Sequence, residues 1–299
     1  MEQEDHLSRE YLSSLEDILQ FMIRQFTGVK LSSPRLDAEL LMALALGVDR
    51  IELYTKPDRI LNKEEADRVS MLFSYRLMRF PMAYLLGEKE FFSLPFYVNT
   101  HVLVPRPETE YLVEHALRCI EKIKSPYIAD IGTGSGVVGI CIRSVRSDAS
   151  VLLLDRSADA LHVAKTNADR LQQAVFLLQA DGTLPFCRPG LLDLVVSNPP
   201  YITDDEMRYL PSEVLKEPRI ALQGGPDGLD IIRGIVHNAK QMLRQGGYLA
   251  FEVGAKQARQ VATLLVEAGF GGIQIHLDGA GIERVIIGRF GAGKDREKP

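Results

Sequence analysis

The sequence predicts an α/β domain with a mostly parallel sheet of seven strands, preceded by a small all-helical domain and a linking β-hairpin. Before residue 80, apolar residues recur at three- and four-residue spacing, which is typical of amphipathic helices. From residue 127 onward, short apolar runs alternate with helical patterns, and this order indicates βαβ units. The expected organisation is therefore a helical domain at 1–80, a linker containing the hairpin at 81–106, the α/β domain at 107–290, and a polar tail at 291–299 that frays.

Three helices are predicted in the first domain. The first carries an apolar stripe that includes Leu19 and Phe26, and the second begins at Pro34 and ends at Gly47. The third begins at Asn62, where Glu65 completes a capping box, and runs to about residue 80. We expect the stripes to pack against one another in a small bundle. A role in gripping a partner is the alternative.

A hairpin and an alternating series of strands and helices are predicted next. Phe91-Phe92 and Phe96-Tyr97-Val98 indicate the hairpin, with its turn near 93–95. Strands are predicted at 127–131, 150–154, 174–178, 192–196, 247–253, 273–277 and 283–288, and helices near 136–146, 157–171, 228–244 and 256–268. Too few residues separate the last two strands for a crossover helix, so we expect them to pair antiparallel.

Composition excludes several classes of protein. The net charge is −5, which disfavours a large phosphate-binding face, so no direct nucleic-acid binding is expected. No apolar run approaches the ~18 residues of a membrane span, and the acidic N-terminus lacks the basic start of a secretory signal. The three cysteines have no C-x-x-C spacing and the histidines no H-x-x-x-H pair, so neither a disulfide framework nor a metal site is predicted. We expect a cytoplasmic protein.

A glycine-rich loop follows the first strand of the α/β domain. The segment is Asp130-Ile131-Gly132-Thr133-Gly134-Ser135-Gly136-Val137-Val138-Gly139, and it contains a G-x-G-x-x-G pattern. Glycines let such a loop turn tightly and bring backbone N–H groups against a ligand. Asp155, at the end of the second strand, is placed to accept hydrogen bonds from ribose hydroxyls. This context predicts a nucleoside-type ligand but does not by itself separate NAD from S-adenosylmethionine.

An acidic residue before the glycines favours S-adenosylmethionine over NAD. The Asp130 carboxylate would repel a pyrophosphate, whereas it suits the ammonium and sulfonium charges of S-adenosylmethionine. Asp181 follows the third strand, where its carboxylate could accept from the exocyclic amino group of adenine. A turn or N-cap role for Asp181 is the alternative.

The segment Asn198-Pro199-Pro200-Tyr201 decides between the two ligands. It follows a strand, and the carboxyl ends of parallel strands are where α/β sheets bind ligands. Asn198 Oδ1 and the Pro199 carbonyl could each accept one N–H of a target –NH₂, while Tyr201 packs on the planar group that carries it. Two such acceptors would align a poorly nucleophilic nitrogen for methyl transfer. A proline-rich turn is the alternative.

An ordered set of motifs resembles the PrmC/HemK family, the release factor glutamine methyltransferases. The resemblance extends from about residue 10 to 290. Its motifs are Pro81-Met82-Ala83-Tyr84-Leu85-Leu86-Gly87, Phe91-Phe92, Val104-Pro105-Arg106-Pro107-Glu108-Thr109-Glu110, Asp130 to Gly136, Ser197 to Ile202, Glu217-Pro218-Arg219 and Gly224-Gly225-Pro226-Asp227-Gly228-Leu229-Asp230.

The resemblance implies a Rossmann-like class I S-adenosylmethionine methyltransferase domain behind a helical domain that helps to dock the substrate. The implied reaction is N5-methylation of the glutamine in the Gly-Gly-Gln motif of class 1 peptide-chain release factors. The resemblance also implies a role for each site residue. The methionine part of the cofactor would be held by Gly132, Thr133, Gly134, Ser135 and Gly136, and the ribose would be bound by Asp155. Asp181 and Gly182 would flank the adenine, and the substrate glutamine would be held by Asn198, Pro199, Pro200 and Tyr201. Asn198 would border the cofactor as well. The segment Arg106-Pro107-Glu108-Thr109-Glu110 lies where the family closes its active site, with N-capping as the alternative for these residues, and Arg106 and Glu108 are expected to contact the substrate.

One departure from the family pattern concerns the adenine. The family often has an aromatic residue where this chain has Gly182, so the stacking contact is expected from elsewhere, with Phe186 as a candidate.

Four rival functions remain. The first is a glutamine methyltransferase of a large-subunit ribosomal protein, which shares Asn-Pro-Pro-Tyr, although residues 106–110 favour the release-factor group. An adenine-N6 DNA methyltransferase would need a basic face. The third rival is an NAD-dependent dehydrogenase, in which Asn198 would have no role. The fourth is a protein that binds S-adenosylmethionine without catalysing a reaction.

Overall fold

The computed structural model describes residues 14–185 and 187–291. The chain forms two compact units. One comprises the residues up to Gly87 together with Ser212–Lys216, and the other comprises Glu88–Pro211 and the residues from Glu217 onward. Phe186, the predicted adenine contact, and the predicted tail beyond Gly291 lie outside the described residues.

The first unit is helical, as its spacing pattern predicts. Its helices are α1 (Leu15–Gly28), α2 (Pro34–Leu46), α3 (Glu52–Thr55), α4 (Lys63–Leu77) and α5 (Met82–Leu86). The predicted capping box at the start of α4 is present, because Asn62 accepts from the backbone of Glu65 and the Glu65 side chain accepts from the backbone of Asn62. Gly47 ends α2 in the left-handed conformation, with a φ of 66°.

The apolar stripes of the helical unit pack into one cluster around Phe26 and Phe73, whose ring centroids lie 5.4 Å apart. Two predictions need correction here. The helix predicted to reach residue 80 ends at Leu77, because Arg79 takes a left-handed φ of 63°. Helices α3 and α5 were not predicted, since four or five residues are too few to show a period of 3.6.

The predicted hairpin is present, but its turn lies earlier than expected. Strands β1 (Glu88–Phe91) and β2 (Leu94–Tyr97) pair antiparallel, with Pro95 opposite Glu90 inside the ladder. The turn consists of Phe92 and Ser93, whose φ values are 51° and 60°. A two-residue turn of this hand needs positive φ at both positions, which proline cannot adopt. The predicted turn at 93–95 is therefore wrong in its position.

The second unit contains the predicted seven-stranded sheet. Its further strands are β3 (Tyr127–Ile131), β4 (Ser150–Asp155), β5 (Phe176–Gln179), β6 (Leu192–Ser197), β7 (Ile202–Thr203), β8 (Gln223–Gly225), β9 (Leu243–Glu252), β10 (Phe270–Leu277) and β11 (Glu283–Phe290). Its helices are α6 (Thr109–Cys119), α7 (Val137–Val145), α8 (Ala158–Arg170), α9 (Asp230–Met242) and α10 (Ala258–Glu267). The sheet order is β10-β11-β9-β6-β3-β4-β5. As predicted, β10 and β11 pair antiparallel, and the small parallel pair β7–β8 was not predicted.

The order of the strands creates a binding crevice in the middle of the sheet. From β3 the chain proceeds outward to β4 and β5 on one side, and β6 then pairs with the other side of β3. Open α/β sheets bind ligands at this kind of reversal, beyond the carboxyl ends of the strands. Helices α6, α7 and α8 cover one face of the sheet and α9 and α10 the other, so both faces are buried in apolar clusters.

Neither a membrane-spanning helix nor a metal-binding cluster is found in the described ranges. No helix within residues 14–185 and 187–291 is long and apolar enough to cross a membrane. The same residues contain no group of three or more His, Cys, Asp or Glu side chains that could hold a metal ion. The three cysteines are free thiols.

Candidate active site

A cavity of about 550 Å³ opens at the carboxyl ends of β3, β4 and β6. This volume is in the range of roughly 300–1,000 Å³ that is typical of small-molecule sites. The cavity brings together most of the predicted site residues, namely Arg106, Asp130, Gly132, Thr133, Gly134, Ser135, Asp155, Asp181, Gly182, Asn198 and Pro200. The other predicted residues, Glu108, Gly136, Pro199 and Tyr201, lie within two positions of these in sequence but do not line the cavity.

The glycine loop has the conformation that only glycine adopts easily. Gly132, Gly134 and Gly136 have φ values of 69°, 56° and 85°. No atom lies within 4 Å of the position that a Cβ would take at Gly132 or Gly134, so the backbone there is open to a ligand. At Gly136, a Cβ would lie 2.7 Å from Ile140 Cδ1, which shows that this glycine serves the packing of α7.

The buried Asp130 carboxyl group fixes the glycine loop by hydrogen bonds. Its Oδ2 accepts hydrogen bonds from the Thr133 hydroxyl at 2.6 Å and from the backbone N–H of Gly139 at 2.9 Å. Only 1% of the residue is exposed, and this burial raises the pKa of the carboxyl to about 6. Asp130 therefore joins the end of β3 to the first turn of α7, and it also lines the cavity.

Asp155 joins two further elements at the same rim. Its Oδ2 accepts from the backbone N–H of Gly134 at 3.0 Å, and its Oδ1 accepts from that of Ser157 at 2.9 Å. The carboxylate is thus oriented by the loop after β3 and by the start of α8. Because a carboxylate has about four lone-pair directions, each oxygen keeps acceptor capacity for a ligand hydroxyl.

Asp181 and Gly182 form the wall beside β3. Asp181 Oδ1 accepts from both the backbone and the hydroxyl of Thr183, at 2.9 and 2.7 Å, and these bonds lower the pKa of the Asp181 carboxyl. Asp181 thus has the turn role that was the alternative to adenine binding, and it lines the cavity as well. A Cβ at Gly182 would lie 2.2 Å from Ile131 Cγ2. The glycine at this position is explained by the direct approach of its backbone to β3.

The carboxyl-terminal half of the Asn-Pro-Pro-Tyr segment is held in place by its backbone carbonyls. The carbonyl of Tyr201 accepts from Gln257 Nε2 at 3.0 Å. A Cβ at Gly228 would lie 2.2 Å from that same carbonyl oxygen, and one at Gly224 would lie 2.7 Å from the Pro200 carbonyl oxygen. The segment is therefore packed directly against the backbone of the Gly-Gly-Pro-Asp-Gly motif, which explains why glycine is needed at 224 and 228.

Two residues lie behind Asn198. Thr109 belongs to the segment that the resemblance places at the closure of the active site, and Glu252 had no predicted role. Asn198 Nδ2 donates to the Thr109 hydroxyl at 3.2 Å, and the Thr109 hydroxyl donates to Glu252 Oε2 at 2.6 Å. The Tyr201 hydroxyl lies 3.4 Å from Glu252 Oε1. The sequence holds one sign of this arrangement, because Glu252 is a charged residue that directly follows an apolar strand run.

Arg106 and Glu108 border different cavities. Arg106 lines the cavity, and its guanidinium pairs with Glu217 Oε1 at 2.5 Å. The other oxygen of Glu217 accepts from the backbone N–H of Val104 at 3.0 Å. Glu108 borders a second cavity of about 370 Å³, together with other acidic side chains, and makes no side-chain cap bond to α6. The N-capping alternative is therefore not observed for Glu108.

Comparison with known proteins identifies the family. Residues 17–87 match the PrmC N-terminal domain, and residues 109–227 match the methyltransferase small domain. The release factor glutamine methyltransferase of Nitratidesulfovibrio vulgaris is 37% identical over 282 residues, which cover 93% of this chain and 95% of that protein. The protein of the same name from Burkholderia pseudomallei is 43% identical over 264 residues, covering 85% and 92%. This chain belongs to the release factor glutamine methyltransferase family.

Solved structures of methyltransferases are similar in fold to this family member. The catalytic domain of hMettl16, solved in complex with MAT2A 3′UTR hairpin 6, gives a TM-score of 0.56 at 16% identity and covers 73% of this chain and 81% of that one. A methyltransferase from Pyrococcus furiosus gives 0.51 at 17% identity, covering 68% and 92%. The predicted Rossmann-like class I methyltransferase fold is confirmed.

S-adenosylmethionine is the cofactor of this methyltransferase, and the cavity suits it. The glycine loop leaves open backbone at Gly132 and Gly134, where a bulky ligand can approach. The carboxyl groups of Asp130, Asp155 and Asp181 border the same space, which matches the positive charges and the hydrogen-bond donors of the cofactor.

Proposed function

We propose that this protein transfers the methyl group of S-adenosylmethionine to the side-chain amide nitrogen of the glutamine in the Gly-Gly-Gln motif of a class 1 peptide-chain release factor. One observation carries the proposal. Asn198 lies on the wall of the cavity that the glycine loop and Asp155 also line, so an amide held by Asn198 would lie beside the cofactor. The relatives at 37–43% identity are named as release factor glutamine methyltransferases, which supports the choice of substrate.

The residues around the cavity divide into a cofactor side and a substrate side. On the cofactor side, Gly132 to Gly136 would hold the methionine part, with Asp130 near its positive charges. Asp155, already oriented by Gly134 and Ser157, would accept from the ribose hydroxyls. Asp181 Oδ2 would accept from the adenine amino group, because the Thr183 bonds are made to Oδ1.

On the substrate side, two acceptors would hold the reacting nitrogen. Asn198 Oδ1 and the Pro199 carbonyl would each accept one N–H of the glutamine amide, and Tyr201 would pack near its planar group. These bonds fix the nitrogen and favour the positive charge that builds on it, which offsets the poor nucleophilicity of an amide. When bound, S-adenosylmethionine supplies an electrophilic methyl carbon: its bond to sulfur breaks as the nitrogen–carbon bond forms, and the nitrogen then loses one proton.

The helical unit would provide a surface for the release factor. Several large apolar side chains remain exposed on it, including Ile51, Met71 and Met78. A contiguous patch of such side chains would favour contact with a protein partner. Such a substrate would place the enzyme in the cytoplasm, and we propose no membrane or direct nucleic-acid contact.

Methyl transfer from labelled S-adenosylmethionine to four acceptors tests the proposal. These are an unmodified class 1 release factor, the same factor with its Gly-Gly-Gln glutamine changed to alanine, a large-subunit ribosomal protein fraction, and adenine-containing DNA. We expect label on the first acceptor alone, mapped to that glutamine by peptide mass. Label on the ribosomal fraction or on DNA, with none on the release factor, would overturn the substrate while leaving a methyltransferase. A protein that binds S-adenosylmethionine but labels no acceptor would contradict the proposed reaction.

A further inference from the structure

Glu252 is a buried carboxylic acid at the carboxyl end of β9, with 1% of its surface exposed. Strand β9 pairs in parallel with β6, and Phe251 lies beside Ser197 in this register. Glu252 and Asn198 are thus the next residues along two neighbouring strands. A buried carboxylate without hydrogen-bond partners is strongly destabilising, so the bonds that Glu252 makes must matter to the structure or to the reaction.

Glu252 is the end of a chain of hydrogen bonds that begins at Asn198. Asn198 Nδ2 lies 3.2 Å from Thr109 Oγ1, and Thr109 Oγ1 lies 2.6 Å from Glu252 Oε2. Thr109 itself is only 2% exposed, at the first position of α6, so no bulk solvent competes for its hydroxyl. The Tyr201 hydroxyl approaches the other oxygen of Glu252 at 3.4 Å, which is a weak contact.

The direction of this chain determines which atom Asn198 presents. A threonine hydroxyl has one hydrogen, and an ionised Glu252 can only accept, so the hydrogen of Thr109 points to Glu252. The oxygen of Thr109 then offers only lone pairs to Asn198, and the –NH₂ end of the amide must face it. Because Nδ2 of Asn198 faces Thr109, the Oδ1 atom of Asn198 can accept a hydrogen bond from a substrate.

We propose that Thr109 and Glu252 are positioning residues for methyl transfer, which lock the Asn198 amide with Oδ1 available to the substrate –NH₂. This inference rests on the proposed function, since it assigns Oδ1 the acceptor role. If the amide were flipped, its –NH₂ would oppose the –NH₂ of the substrate, and one of the two acceptors of the reacting nitrogen would be lost. Neither Thr109 nor Glu252 needs to touch the substrate for this effect.

The charge on Glu252 gives the arrangement a dependence on pH. Burial raises the pKa of this carboxyl to about 7, against the opposing effects of Thr109, Arg284 and Tyr201, while Glu108 adds to the increase. Arg284 is itself bonded to Asp278 at 3.0 Å, so it is shared between two carboxylates. A protonated Glu252 can donate to Thr109, which frees the Thr109 hydrogen to point at Asn198 and permits the flipped amide. Turnover should therefore decline as pH falls through the pKa of Glu252.

Kinetics of three variants on the release factor test this inference. Thr109→Val keeps the shape but removes the hydroxyl, Thr109→Ser restores the hydroxyl, and Thr166→Val is a matched control, because the Thr166 hydroxyl bonds only to the His162 carbonyl on α8. We expect Thr109→Val to lower kcat by on the order of 10- to 100-fold, as misplacement of a reacting group does. The dissociation constant of S-adenosylmethionine should change little. The melting temperature of Thr109→Val should fall, because the buried Glu252 carboxylate loses a hydrogen-bond donor. Thr109→Ser should recover most of kcat and of the melting temperature.

A pH profile of kcat separates positioning from a general structural role. The wild-type enzyme should lose turnover on the acidic side of about pH 7, and Glu252→Gln, which cannot ionise, should lack that limb. Equal kcat in Thr109→Val and wild type, or equal losses in Thr109→Val and Thr109→Ser, would each overturn the inference alone. An acidic limb in Glu252→Gln with the same midpoint near pH 7 as in the wild type would also overturn it, whereas titration of Asp130 would give a limb nearer pH 6 in both proteins. A wild-type enzyme that methylates no glutamine would overturn the proposed function, and the inference with it.

Discussion

The backbone N–H of Gly134 donates to Asp155 Oδ2 at 3.0 Å, so the loop after β3 is bonded to the end of β4. The other oxygen of Asp155 accepts from Ser157 at the start of α8. The two halves of the proposed cofactor site are thus held together by one carboxylate before any ligand binds. A preorganised acceptor of this kind improves affinity because little ordering is left to occur on binding.

Replacing Asp155 should weaken cofactor binding more than it weakens catalysis. In Asp155→Ala, the ribose hydroxyls lose their proposed acceptor and Gly134 loses its tie to β4. Hydrogen bonds to charged groups contribute about 1.5–3 kcal/mol, so the dissociation constant of S-adenosylmethionine should rise by roughly 10- to 100-fold. Titration calorimetry measures this change, with Asp169→Ala, an exposed partner of Lys165 on α8, as the control. An unaltered dissociation constant would count against the ribose assignment.

Replacing Asn198 should have the opposite signature. Asn198→Ala removes one proposed acceptor of the reacting nitrogen but leaves the glycine loop and Asp155 in place. Turnover on the release factor should fall below detection, while S-adenosylmethionine binds with nearly unchanged affinity. The two quantities are measured by label transfer and by calorimetry on the same preparation. Substantial turnover in this variant would refute the acceptor mechanism.

The parts of the fold and the site that follow from local pattern could be predicted from the sequence. The strands of the sheet show as apolar runs, and the loop at 132–136 shows as glycines between a strand and a helix. Asn198 directly follows a strand, so its place at the carboxyl edge of the sheet follows from the βαβ order alone. In each case, the signal lies within a few consecutive residues.

The parts that depend on contacts between distant residues could not be predicted. Thr109 and Asn198 are 89 positions apart, and Thr109 and Glu252 are 143 positions apart. Their hydrogen bonds exist only because α6 packs on the carboxyl ends of β6 and β9. The need for glycine at position 182 could not be predicted for the same reason, because a side chain there would clash with Ile131, which is distant in sequence and lies on β3.

Adding a methyl group at position 182 should destabilise the second unit. In Gly182→Ala, the new Cβ would lie 2.2 Å from Ile131 Cγ2, so β3 or the adjoining turn must shift. Overpacking of this kind costs typically about 1–3 kcal/mol. Because the same turn carries Asp181, affinity for S-adenosylmethionine should also fall. Urea unfolding followed by circular dichroism, with calorimetry of cofactor binding, measures both effects.

A double-mutant cycle identifies the contact that causes the Gly182 effect. Ile131→Ala removes the atom that the new Cβ would meet, at the expense of an apolar contact in the core. If the clash is the cause, the loss in the double variant should be smaller than the sum of the losses in the two single variants. Strictly additive losses would show that the strain at position 182 arises elsewhere.

Replacing Asp130 should change how stability depends on pH. The pKa of this buried carboxyl is about 6 in the folded protein, against an ordinary value of 3.8. The folded state therefore binds more protons than the unfolded state between these values, and this group lowers stability as pH rises through that window. The nearby Asp155 carboxylate acts in the same direction. From this difference in pKa, the loss is on the order of 3 kcal/mol above pH 6.

The variant Asp130→Asn isolates this contribution, because its amide oxygen can still accept from Thr133 and Gly139 but cannot ionise. The difference in free energy of unfolding between the variant and the wild type should move in favour of the variant from about pH 4 to pH 7 and then become constant. Contributions from other groups, including Glu252, are common to both proteins and cancel in the difference. Urea titrations of the cofactor-free proteins across this range measure it, with Asp169→Asn as an exposed control. A difference that does not vary with pH would mean that Asp130 titrates alike in the folded and unfolded states, and that its burial is compensated by the bonds from Thr133 and Gly139.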